Sequence, residues 1–190
     1  MRLFVAAELP RGAREGVGAL LADLARAVPE VRWVRIASVH LTLKFLGEMD
    51  PPRAAALPAA LVPPARACAD CLPIRIRGVR TFGSRGNPRV VLLGVEEDDP
   101  SLARLAAAID EAAAPLGIAR ETRPFRPHLT LARPKGGSRS LDASVAARAS
   151  ADLGRHEIRA IAVFQSLLHP DGAEYVRLAE IPLGRAGATP

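Results

Sequence analysis

VHLTLKFL, residues 39–46, alternates apolar and polar positions: Leu41, Leu43 and Phe45 interleave with His40, Thr42 and Lys44. Period two is the signature of a β-strand with one face buried. Leu41, Leu43 and Phe45 are expected to face a core, and His40, Thr42 and Lys44 to face away from it. The tetrapeptide His-Leu-Thr-Leu recurs at 128–131, inside FRPHLTLAR (125–133). There His128 and Thr130 share one face over Leu129 and Leu131. The chain has four histidines, and two of them open this tetrapeptide. Each strand therefore presents an imidazole beside a hydroxyl on an apolar anchor.

The surrounding sequence supplies a core for both strands. RLFVAAE (2–8) reads as a buried strand. Val17, Leu20, Leu21, Leu24 and Val28 recur on one face of a helix, and Trp33-Val34 begins an extended stretch. Pro51-Pro52 opens an alanine-rich helix expected to stop at Pro63-Pro64, with Pro58 a point of kinking. LPIRIRGVRTF (72–82) and RVVLLGV (89–95) form a hairpin around the turn cluster GSRGNP. Arg75, Arg77 and Arg80 form its wet face. Asp99 and Pro100 open a helix with Leu102, Leu105, Ile109 and Leu116 inside and Gly117 at its exit. Leu141, Val145 and Leu153 mark a short helix. Strands at 156–169 and 173–183 flank an HPDG turn. Phe125 and Phe164 are expected in the core, and His156 and His169 at turns or on the surface. Each half offers strands, helices and one HLTL strand. The fold class is α+β, with antiparallel sheets backed by helices on one side. Residues 1–183 are expected to form one domain, and 184–190 a flexible tail.

Composition narrows the setting. Hydrophobic residues make up 49% of the 190, enough to bury a core, and no apolar run is long enough to cross a bilayer. A soluble, cytoplasmic protein is the expectation. Net charge is +6, almost all from arginine, the only lysines being Lys44 and Lys135. That balance suits a phosphate-rich partner and equally a general bias toward arginine. Cys68 and Cys71 precede a strand, the wrong order for a redox pair. They are too few for a zinc site and read as ordinary thiols.

Two imidazoles on opposite sides of a site suit phosphodiester cleavage without a metal. A neutral one takes a proton from the attacking water, and a protonated one gives a proton to the departing oxygen. The threonine hydroxyls can donate to non-bridging phosphate oxygens. No carboxylate shares the histidine face of either strand, which argues against a metal.

HLTLKFLGE (40–48) and FRPHLTLAR (125–133) resemble the two HxTx motifs of the RNA 2′,3′-cyclic phosphodiesterases, also called 2′-5′ RNA ligases, within the two-histidine phosphoesterase superfamily. RLFVAAELP (2–10), PRVVLLGV (88–95) and SLLHPDGAEYVRLAEIPL (166–183) are similar to the family's opening strand, central hairpin strand and closing hairpin. The resemblance implies an α+β fold of two pseudo-symmetric lobes, each an antiparallel sheet backed by helices, with the active-site groove between them. It implies hydrolysis of an RNA 2′,3′-cyclic phosphate to a 2′-phosphate, with His40 as proton donor, His128 as proton acceptor, and Thr42 and Thr130 holding the phosphate. With an RNA 5′-hydroxyl in place of water, the same site gives 2′-5′ ligation of half-tRNA-like ends. It implies no metal and no cofactor. The expected partner is RNA with cyclic-phosphate ends, with no membrane and no obligate protein partner, and a monomer is the default expectation. Leu92 departs from the family's pattern, where an aromatic residue is common, and reads as core packing.

Two basic residues extend the candidate site. Lys44 shares parity with His40 and faces the groove or a solvated strand end. Strict alternation would bury Arg133, and a buried unpaired guanidinium is costly. The strand is therefore expected to end or bulge there and turn Arg133 out toward substrate, a structural ion pair being the other reading. Two further functions fit the same residues: an RNA-end binding module with little turnover, and a phosphodiesterase for small cyclic nucleotides.

Overall fold

The structure, a computed structural model, describes residues 1–84, 87–169 and 172–184. Its elements run β1 (Arg2–Glu8), α1 (Arg11–Ala27), β2 (His40–Glu48), α2 (Pro51–Arg66), β3 (Leu72–Ser84), β4 (Asn87–Glu96), α3 (Ser101–Ala113), β5 (His128–Ala132), α4 (Arg139–Ala147), β6 (Asp152–Ile158), β7 (Ala160–His169) and β8 (Gly172–Pro182). The strands form one sheet in the order β6-β3-β4-β5-β2-β1-β7-β8. Every pairing in it is antiparallel. The α+β architecture read from the sequence holds. The two expected lobes are the four-stranded halves of this sheet, each contributing one HLTL strand to the join.

That join is narrow: β2 and β5 pair at one position, Leu41 with Leu129. Toward one end the Trp33-Val34 segment takes over the edge of β5. Trp33 bridges to Ala132, and the Val34 amide donates to the Leu131 carbonyl at 2.9 Å. The extended stretch expected at Trp33 is thus what keeps β2 and β5 from zipping further. A second constraint acts at the far edges. The sequence suggests a single strand over 156–169, but the chain breaks at Arg159 into β6 and β7, with five strands between them in the sheet. A flat sheet would hold these strands roughly 30 Å apart. One intervening residue lets their ends separate by at most about 7 Å. The sheet must therefore curl, and Ile158 and Ile161, on either side of Arg159, sit in the same core.

The helices cover one face. α1 and α4 pack on β6 and β3, while α2 and α3 pack together against β7, β8 and β2. α1 follows β1 in one half-sheet yet covers the other, so the halves exchange a helix. Leu3, Val5, Leu41, Leu43, Leu129 and Leu131 meet these helices in the main core. The opposite face carries a small second cluster of Phe4, Ala6, Ala162 and Phe164, with Tyr175 against it. Phe164 is buried as expected, but here rather than beneath the helices.

Several boundaries differ from the sequence reading. α2 runs through Pro58, Pro63 and Pro64 to Arg66, with Asp50 capping it by accepting from the Arg53 amide. The amides opening α3 are capped by Glu97, which accepts from Leu102 and Ala103, while Asp99 binds Ser101 and Arg104 instead. Leu153, expected in a short helix, belongs to β6. Gly184 is buried and donates to the Ala65 carbonyl, so the expected tail does not begin there. Residues 185–190, and the centres of the GSRGNP and HPDG turns, lie outside the described residues.

The most consequential difference is a β-bulge in β2. Ala6 pairs with Thr42 but Val5 with Lys44, which leaves Leu43 as the extra residue. Parity inverts after Leu43. Lys44, expected in the groove, points among the helices with 2% exposure, and Phe45, expected in the core, is 59% exposed. Lys44 Nζ lies 2.6 Å from Asp110 Oδ1 on α3 and donates to the Ala119 carbonyl at 2.7 Å. Burial pulls the Asp110 carboxyl upward. Lys44 and the Glu121 amide more than offset this and hold it below its usual range. Its stabilising contribution is present above that range and lost as pH falls through the lowered value. Lys44 is therefore a structural tie between the first HLTL strand and α3. Breaking a buried pair from one side costs about 3–5 kcal/mol. Lys44→Ala is expected to lower the unfolding free energy by about 3 kcal/mol in urea titration. A change within about 0.5 kcal/mol, typical of a surface site, would contradict the tie.

Candidate active site

β5 repeats the device of β2. Val91 pairs with Ala132 but Leu92 with Thr130, so Leu131 is skipped and both Leu131 and Ala132 enter the core. The strand ends at Ala132, and Arg133 follows it, exposed. Its guanidinium has no partner among the described residues. Both features expected for Arg133, a bulge and a strand end, are present.

The Leu41–Leu129 rung sets what meets across the join. Continuing its register by one residue puts His40 across from Thr130 and Thr42 across from His128. All four side chains share the face turned away from the helices, since Leu41 and Leu129 between them are fully buried on the other. In a regular antiparallel pair, directly opposed Cβ atoms stand about 5 Å apart and diagonal ones about 7–8 Å, so side chains in this register can converge on one small group.

Each ring is held the same way. Nδ1 of His40 lies 3.0 Å from the Ser38 carbonyl, and Nδ1 of His128 lies 2.8 Å from the Arg126 carbonyl. A carbonyl only accepts, so each Nδ1 carries the proton and donates it. Nε2 is then the nitrogen free to give or take a proton at the site. Neither Nε2 nor either threonine hydroxyl has a protein partner among the described residues. Four unpartnered polar groups thus converge on one face.

The two rings differ in their surroundings. His40 stacks on Phe4 at 4.6 Å between ring centroids and meets Tyr175 edge-on at 4.9 Å, with Phe164 at 6.2 Å. Burial pushes the His40 imidazole down to about 4, and the Ser38 carbonyl resists only partly. His40 is neutral at pH 7 in the free protein. An aromatic face attracts a cation, so the Phe4 stack favours the charged ring once an anion is nearby.

Other candidates fall outside this square. Leu92, expected in the core, is half-buried on the site face opposite Thr130. Arg75 pairs with Asp152, while Arg77 and Arg80 both approach Glu96 at 3.8 Å. His156 contacts the Leu153 carbonyl, and His169 lies 3.1 Å from Glu174. Cys68 is a free thiol donating to the Pro64 carbonyl, and burial pushes it up. Among the described residues no helix is long and apolar enough to cross a membrane. The aromatic surround of His40 was not legible, because it depends on β1–β2 and β1–β7 register. Only Ser38 and Arg126 carried a signal, each two residues before its histidine.

A family model for the 2′-5′ RNA ligase superfamily matches residues 25–166. A protein of Archaeoglobus fulgidus named RNA 2′,3′-cyclic phosphodiesterase is 34% identical over 175 residues, covering 92% of this chain and 96% of its own. A solved structure from Thermus thermophilus has a TM-score of 0.78 at 30% identity, covering 98% of this chain and all of that one. E. coli LigT complexed with 3′-AMP has a TM-score of 0.77 at 26% identity, covering 97% of this chain and 98% of its own.

The burial of His40 is open to direct measurement. Its ring protons are expected to titrate near pH 4 by NMR in the free protein. The midpoint should move upward when inorganic phosphate is added. A free-protein midpoint near the ordinary histidine value of about 6.5 would show that the aromatic cluster does not desolvate the ring.

Proposed function

This chain belongs to the 2′-5′ RNA ligase superfamily, and from that premise we propose that it is a hydrolase opening RNA 2′,3′-cyclic phosphates to 2′-phosphomonoesters without a metal. The observation that carries the reading is the square of His40, Thr130, Thr42 and His128 on one face of the β2–β5 join, with both Nε2 atoms and both hydroxyls unpartnered among the described residues.

A cyclic phosphate seated in the square lies between the two rings. His128 Nε2 accepts a proton from water as the water oxygen bonds to phosphorus. The bond from phosphorus to the 3′-oxygen breaks, and His40 Nε2 delivers a proton to that oxygen. The product keeps its phosphate on the 2′-oxygen. Each ring ends in the other protonation state and is reset by exchange with solvent. The non-bridging oxygens gain charge during the displacement, and the Thr42 and Thr130 hydroxyls donate to them. Arg133, exposed and uncommitted beyond β5, supplies a cation for the same oxygens.

His40 begins neutral, so binding of the substrate anion must raise its affinity for a proton, which solvent supplies. A phosphodiester anion within hydrogen-bond reach favours the imidazolium, and Phe4 stacks against the ring it forms. The donor is then charged only when a substrate is bound. If an RNA 5′-hydroxyl takes the place of water, the same displacement leaves a 2′-5′ phosphodiester, and ligation of RNA halves becomes the second activity of one site.

Product analysis tests this with an oligonucleotide ending in a 2′,3′-cyclic phosphate. A 2′-phosphate is expected, at an unchanged rate in EDTA. His40→Ala and His128→Ala should each lose on the order of 100-fold to 10,000-fold in kcat/KM. The double variant should lose little more than either alone, because the rings act as one unit. Full activity in either single variant, or binding of the oligonucleotide without turnover, would overturn the proposal.

A further inference from the structure

A cavity of about 270 Å³ opens beside His40, and Glu8, Arg14, Tyr175 and Arg177 are among the residues lining it. Its two arginines differ. Arg177 is committed, 2.7 Å from Glu8 and paired also with Glu180. Arg14 is uncommitted. It is half-buried, and among the described residues it is the one arginine that is not exposed yet has no side-chain partner. The other unpartnered arginines are exposed, where water serves them.

The position of Arg14 along its helix points the same way. It lies in the opening turn of α1, with its amide donating to the Pro10 carbonyl at 2.9 Å. No acidic residue occupies the first turn, and no side chain caps it. A cation at a helix N-terminus opposes the helix dipole. Arg14 therefore gains nothing from its helix and nothing from a protein partner. A bound anion in the cavity would satisfy both.

The cavity adjoins the ring that addresses the 3′-oxygen of the scissile ester. The ribose bearing that oxygen lies on this side of the square, and its next anion is the phosphodiester on its own 5′-oxygen. We propose that Arg14 binds the phosphodiester on the 5′ side of the terminal nucleotide, and so makes the enzyme prefer an RNA end over a mononucleotide. This rests on the function proposed above. Arg14 touches a non-reacting part of the substrate, so it sets specificity and takes no part in proton transfer.

The experiment compares three substrates: a nucleoside 2′,3′-cyclic phosphate, a dinucleotide ending in one, and the same dinucleotide with a neutral methylphosphonate linkage. The wild-type protein should favour the charged dinucleotide over both others by on the order of tenfold in kcat/KM, the value of one charge-assisted hydrogen bond. Arg14→Gln should hydrolyse the charged and neutral dinucleotides at matching efficiency, and Arg14→Lys should keep part of the preference. The side chain has no protein partner to lose, so the thermal midpoint of Arg14→Gln should match wild type and exclude a folding defect. A charge preference that survives in Arg14→Gln, or wild-type indifference to the linkage charge, would overturn the assignment while leaving the hydrolase reading intact. Failure of the wild-type protein to open any of the three would instead remove the hydrolase reading, and this assignment with it.

Discussion

A single backbone rung, Leu41 against Leu129, governs the chemistry this fold can support. Among the described residues β2 and β5, the inner strands of the two half-sheets, pair only there, and the rung's register decides which side chains share the join. A slip of one residue would turn the histidine of the slipped strand into the core and leave the other alone on the site face. Trp33-Val34 occupies the next stretch of β5 and prevents further pairing with β2. At the far edges, the one-residue joint at Arg159 forces the sheet to curl. The rung is thus held from both sides: it cannot extend, and the halves it joins cannot swing apart freely.

On this frame the two halves repeat one design and then diverge. Each HLTL strand places its histidine and threonine on the site face. Each ties Nδ1 to the carbonyl two residues earlier, and each bulges after its second leucine. The bulge sends Lys44 and Ala132 to the core and brings Phe45 and Arg133 out. Divergence lies in what surrounds the rings. His40 is wrapped by Phe4, Phe164 and Tyr175, and among the described residues no such cluster forms around His128. Two rings tied to the backbone in the same way therefore have unequal surroundings, one wrapped by aromatic rings and one not.

Much of this was readable from the chain, and the exceptions share a physical cause. Alternation within HLTL placed His40, Thr42, His128 and Thr130 on their strands, because period two survives up to the bulge. It failed for Lys44 and Phe45, because a bulge is a property of two paired strands and the partner register of β1 cannot be read from β2 alone. Arg133 escaped the same error only through an energetic argument, that a guanidinium would not be buried unpaired. The break at Arg159 was hidden because 156–169 keeps a strand-like composition across it. Pro58, Pro63 and Pro64 did not stop α2, since tertiary packing of Leu57, Leu61 and Ala65 outweighs their local penalty. Arg14 carried no signal at all. Its meaning comes from a cavity assembled by α1, β1, β2, β7 and β8, which no local pattern encodes.

The central claim is that both imidazoles address one phosphorus. A crystal structure of the protein with a nucleoside 2′-phosphate tests it most directly. The account expects Nε2 of His40 and Nε2 of His128 to lie within hydrogen-bond distance of oxygens on the same phosphorus, with the Thr42 and Thr130 hydroxyls on its remaining oxygens. A phosphate held by one ring alone, or seated elsewhere on the protein, would contradict it.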